Sequence, residues 1–177
     1  MLVARSAAEC RLYIDIHPCS CGDNTFDVRH ALRTGPDGAL IAVYEGLCPR
    51  CGLPRRFTFT LDPATPPPPP AFGGPNPSQI ICPGQFAVVA DVEAGLATLE
   101  PDARRAQSRA AIVRALAAQV EITKFIPAGG SAVPADAFVS DIGRELYARE
   151  PGRFDADRLV AVAESYRAIL DRYDRTG

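Results

Sequence analysis

A chain of 177 residues, 47% apolar and 23% charged, can bury the core of one domain or of a small module joined to a larger one. Its formal charge of −2 lacks the basic surplus that grips phosphate backbones. No apolar stretch approaches the roughly 18 to 20 residues that span a bilayer, and Met1 to Arg5 is too short and interrupted for a signal-peptide core.

The expected compartment is therefore the cytoplasm, where thiols stay reduced and spaced cysteine pairs point to metal more than to disulfides. Lys124 is the only lysine against many arginines, and alanine and proline are abundant, as codon bias in a GC-rich genome would produce.

Ser6 followed by Glu9 has the spacing of a capping box and predicts a helix over 7–15, with a strand opening at Leu12-Tyr13-Ile14 as the alternative. Residues 25–33 alternate apolar and polar, as a half-buried strand does. Gly35-Pro36-Asp37-Gly38 signals a turn, and Leu40 to Gly46 reads as the returning strand. Residues 55–61 alternate again and place Phe57, Phe59 and Leu61 on one face. The N-terminal third thus reads as a three-stranded antiparallel unit with a cysteine pair at each of two corners.

Pro66 to Pro70 predicts extended polyproline II, as a stiff spacer or as a ligand for a proline-recognising domain. Phe72-Gly73-Gly74-Pro75 could lie against the body of the protein and keep this connector ordered. The rest reads as helical. Pro83 suits the first turn of a helix to about Leu96, with Phe86, Val89, Ala90 and Leu96 at core spacing. Pro101 opens a longer helix carrying Ile112, Leu116, Val120 and Thr123, ended by Pro127-Ala-Gly-Gly130. Residues 134–149 give one or two short helices with Phe138, Ile142, Leu146 and Tyr147. Asp155 or Asp157 caps the last helix, whose stripe of Leu159, Val162, Ala163, Tyr166, Ile169, Leu170 and Tyr173 is core packing or a partner groove.

The two corners read Cys19-Ser20-Cys21-Gly22 and Cys48-Pro49-Arg50-Cys51-Gly52. Cysteines close in sequence can wrap one side of a metal ion, and a following glycine permits the tight turn that brings backbone N–H groups to the thiolates. The intervening hairpin can return the second pair to the same ion. This arrangement resembles the zinc ribbon, a family of small β modules built as knuckle, hairpin, knuckle, over residues 17–61. The second corner matches the usual knuckle, and the first has one intervening residue instead of two. The resemblance implies a structural zinc held by Cys19, Cys21, Cys48 and Cys51. His17 replacing Cys19 or Cys21 is the alternative ligand set, and a redox pair or plain buried thiols is the alternative without metal. Cys10 and Cys82 have no paired partner and are expected in the core.

The sequence carries no phosphate loop, nucleophile elbow or His-Glu-x-x-His motif. His30 falls in a predicted strand, and Gly129-Gly130-Ser131 reads as a helix-ending loop. The expected architecture is α+β: residues 1–62 as an N-terminal helix and zinc ribbon, 63–78 as a proline-rich connector, and 79–177 as an all-helical bundle. The expected function is a non-catalytic, zinc-stabilised protein-binding protein with another protein as partner, in an immunity or regulatory role. The whole chain also resembles proteins of GC-rich bacteria that carry such phrases as Phe72-Gly-Gly-Pro75 and Phe125-Ile-Pro-Ala-Gly-Gly130. Two alternatives stand beside this: nucleic-acid binding by Arg50, Arg55 and Arg56 with Phe57 or Phe59 stacking on bases, and an enzyme whose site lies in the helical part.

Overall fold

The computed structural model of the chain describes residues 2–97 and 104–175. These fall into two compact units, one reaching Gly74 and including Ser78–Ile80, the other formed by Pro75–Pro77 and the chain from Ile81 onward.

The first unit contains β1 (Leu2–Ala4), α1 (Ala7–Asp15), β2 (Asp27–Thr34), β3 (Leu40–Leu47) and β4 (Pro54–Leu61). The sheet order is β1-β4-β3-β2. The expected three antiparallel strands are present, but the sheet is four-stranded and mixed, because β1 joins β4 in parallel through Leu2↔Phe59, Val3↔Thr60 and Ala4↔Leu61. A three-residue strand is too short to show a period in sequence, and only its tertiary pairing defines it.

Lines of paired residues cross the sheet and define its inner face: Leu32, Ala42, Phe59 and Leu2 form one, and His30, Tyr44 and Phe57 the next. The core is Ala4, Cys10, Ile14, Ala42, Tyr44 and Phe59, with Phe57, Leu61 and Tyr13 packed around it. Phe57, Phe59 and Leu61 therefore face inward, as their alternation implies.

Helix α1 begins where the sequence places it. Ser6 Oγ accepts the Glu9 N–H at 3.0 Å. The Glu9 carboxylate turns one residue further back than a capping box requires. It accepts the Arg5 backbone N–H at 2.6 Å and the Arg5 guanidinium at 2.6 and 2.9 Å. The connector is tied to the same corner: the Ser6 hydroxyl donates to the Phe72 carbonyl at 2.5 Å, and a Cβ on Gly73 would fall 2.6 Å from the Arg5 guanidinium carbon. The proline run is not extended to its end, since the Ala71 N–H donates to the Pro68 carbonyl across a cis Pro69–Pro70 peptide.

The second unit is helical: α2 (Pro83–Leu96), α3 (Arg105–Thr123), a 3-10 turn at Ala135–Ala137, α4 (Asp141–Arg149), a 3-10 turn at Pro151–Phe154 and α5 (Ala156–Arg175). Pro101, expected to open the long helix, lies outside the described residues. In α2, Phe86, Val89 and Ala90 are buried as expected, but Leu96 is 60% exposed.

The buried residues of α3 are Ser108, Ala111, Ile112, Ala115, Ala118, Gln119, Glu121 and Ile122; of the expected stripe Ile112 is buried, and Leu116, Val120 and Thr123 are only half-buried. Alanine and serine in this face let a neighbouring helix approach, with Ile112 and Ile122 buried beside them. The helix ends at Thr123, and a tail of i→i−3 bonds carries the chain to Ile126, just before Pro127.

Helix α4 is capped at its start by Ser140, whose Oγ accepts the Gly143 N–H at 3.1 Å. Ile142 on this helix is 48% exposed and outside the core. Asp155 directly precedes α5, and its carbonyl accepts the Leu159 N–H, while Asp157 lies in the first turn. The stripe on α5 is buried at Leu159 and Ala163 and half-buried at its other members. Among the described residues no helix is long and apolar enough to cross a membrane.

Candidate metal centre

The first knuckle lies between α1 and β2, and the second between β3 and β4. Both are closed by bonds between corresponding residues, one residue shorter in span at the first corner. The Gly22 N–H donates to the Cys19 carbonyl and the Gly52 N–H to the Cys48 carbonyl, each at 2.8 Å. The Cys19 N–H donates to the Asp23 carbonyl, and the Cys48 N–H to the Leu53 carbonyl. Gly22 and Gly52 have φ of 83° and 73°, the left-handed region that L residues rarely adopt, which is why each corner ends in glycine. The missing residue in the first corner shortens the closing bond from i→i−4 at Gly52 to i→i−3 at Gly22, while both corners still end in a left-handed glycine.

The antiparallel pairing of β2 with β3 and β3 with β4 brings the corners together. The four Sγ atoms of Cys19, Cys21, Cys48 and Cys51 lie within 4.8 Å of one another. Cys19 is 3.5 Å from Cys51, and Cys21 is 3.6 Å from Cys48. Metal–thiolate bonds of about 2.3 Å place tetrahedral sulfurs about 3.8 Å apart, whereas a disulfide needs about 2.05 Å. All four are free thiols, and the group could hold a metal ion. Cys19 and Cys48 are buried, Cys21 is half-buried and Cys51 is exposed, so the centre has one open side.

The thiols are electrostatically unequal. The Cys21 backbone N–H, followed by the neighbouring sulfurs, holds Cys19 down to about 6 against the effect of burial. At Cys51 the Leu53 backbone N–H is the largest single influence and pulls downward, but burial and the three other sulfurs together push it up to about 12.

Two arginines support the corners. Arg50 donates to the Cys21 carbonyl at 3.2 Å. Arg55 donates to the His17 carbonyl at 2.5 Å, and its guanidinium carbon lies 4.8 Å from the Phe26 ring centre and 5.2 Å from that of Phe57. Arg55 is 8% exposed. Its burial was not legible in sequence, where arginine beside a second arginine reads as a solvated rim. Of the three arginines read as nucleic-acid contacts, this leaves Arg50 and Arg56 exposed, with Arg56 3.9 Å from Glu45. Phe59, read as a base-stacking residue, is fully buried.

His17 stays outside the sulfur cluster. Its Nδ1 lies 2.6 Å from the Tyr13 carbonyl, and its ring stacks on Tyr13 at 3.9 Å. His30 is exposed on β2 and stacks on Tyr44 at 4.5 Å. Cys10 is fully buried, and burial, then the Glu9 charge, push its thiol up to about 12. Cys82 is buried at the start of α2, with its sulfur 3.1 Å from Ser140 Oγ. Both occupy core positions, as expected of unpaired cysteines. Gly129 and Gly130 form the turn beyond α3, with the Gly130 N–H bonded to the Pro127 carbonyl.

No protein-family model matches the chain, and neither a search of curated proteins nor one of solved structures finds a match.

Proposed function

We propose that Cys19, Cys21, Cys48 and Cys51 hold one structural zinc ion and that the protein is a non-catalytic, zinc-stabilised binding partner of another protein, in an immunity or regulatory role. The observation that carries the metal reading is the convergence of four free thiols at near-tetrahedral spacing on two glycine-ended corners. Soft sulfur ligands in a tetrahedron favour zinc among common divalent ions. Four thiolates complete the coordination and leave no position for a reactive water, which supports a structural ion over a catalytic one.

The ion joins the segment after α1 to the β3–β4 turn, and its binding energy adds to that of a small sheet core. The mixed charge and the zinc-ribbon likeness support a scaffold whose work is done at its surface. Elemental analysis should return one zinc per chain. A pull-down with zinc-replete protein from native lysate should return a stoichiometric protein partner; its absence would contradict the binding role and leave the zinc reading standing.

A further inference from the structure

Strand β2 is the outermost strand of its sheet, eight residues long and without proline. Its hairpin fixes which backbone groups it leaves open. The Gly35 N–H donates to the Ala39 carbonyl at 2.8 Å, making these two a hydrogen-bonded pair. By the alternation of an antiparallel ladder, Arg33, Ala31, Arg29 and Asp27 turn their N–H and C=O toward β3. Those of Thr34, Leu32, His30 and Val28 point outward, and no strand among the described residues takes them. Every residue of β2 except Val28 is exposed, and Leu32 is 58% exposed on the sheet's inner face. Regular open edges of this length are usually blunted or occupied.

We propose that β2 pairs antiparallel with β2 of a second copy of this chain about a two-fold axis through His30, joining two four-stranded sheets into one. The backbone phase agrees, because a register centred on His30 sets outward-pointing residues opposite each other: His30 meets His30, and Val28 meets Leu32 of the second copy in both directions. The charges agree too. Asp27 falls opposite Arg33 of the second copy, twice per dimer, in the closer, non-hydrogen-bonded positions. Neither side chain has an ion-pair partner within 4.0 Å among the described residues. Apolar contact agrees as well, since Val28 of one copy would cover the exposed Leu32 of the other. Moving the axis to Ala31 keeps the backbone phase but sets Arg29 against Arg33 twice, so like charges select the first register. This pairing stands apart from the zinc reading and needs only the hairpin.

The test is sedimentation of the zinc-replete full chain across a micromolar concentration series, beside the variants Asp27→Arg and Asp27→Arg with Arg33→Asp. The expected result is a mass that rises from 18.9 kDa toward twice that value. The single charge reversal should weaken association by roughly tenfold, since two attractive pairs become repulsive, and the double reversal should restore it. Hydrogen exchange at the amides of Val28, His30 and Leu32 should slow as concentration rises. A monomer at every concentration would overturn the proposal. So would a dimer indifferent to the charge reversal, or an edge protected only by a strand from a different protein.

Discussion

Glu9 and Arg5 form an ion pair whose side chains are 0% and 5% exposed, and the same carboxylate holds the Arg5 backbone N–H. Deleting one partner of such a pair strands the other charge away from water. Glu9→Ala should therefore cost about 3–5 kcal/mol, measured by denaturant unfolding of the metal-loaded protein. Arg55 poses a related case near the sulfur cluster. Its guanidinium lies against two phenylalanine rings, and its Nη1 is buried without a hydrogen bond among the described residues. Lysine cannot stack as a planar fork, so Arg55→Lys should cost about 1–2 kcal/mol in the same measurement. Sequence spacing found Ser6 and Glu9 but not the Arg5 partnership, because a capping box is local and the burial of Arg5 comes from the Phe72–Gly73 segment folding onto it. The convergence of the four cysteines was legible because two short cysteine spacings, each ended by glycine, mark corners that a hairpin can bring together.

At the level of elements, α2 meets α4 through glycines. A Cβ on Gly84 would fall 2.3 Å from the Gly143 Cα, and one on Gly143 would fall 2.7 Å from the Cys82 sulfur. Backbone cannot yield as a flexible side chain can, so Gly84→Ala should force the helices apart and destabilise the protein by about 1–3 kcal/mol, read as a fall in Tm. Helices with a strong punctuation mark were legible: Pro83 opens α2 where the sequence sets it, and Ser6 opens α1. Helix α3 was legible as a helix but not in its orientation. Its contact face is built from Ala111, Ala115 and Ala118, which carry little weight in a pattern read from bulky residues. Strand β1 was missed because three residues declare no period, and its place depends on pairing with β4 residues 57 positions later.

Across the whole molecule, four of the six cysteines converge and two pack in cores. Cys48→Ser should remove a buried ligand, abolish stoichiometric metal binding and unfold the N-terminal sheet, seen as lost β signal in circular dichroism. Cys82→Ser is a near-isosteric change at a site already facing the Ser140 hydroxyl. It should leave metal content unchanged and cost at most about 1.5 kcal/mol. The most direct test of the central claim is elemental analysis of the purified protein, with thermal melts before and after chelation. One zinc per chain is expected, with a large loss of stability when it is removed. Protein that carries no metal, or gives it up with its melting transition unchanged, would contradict the claim.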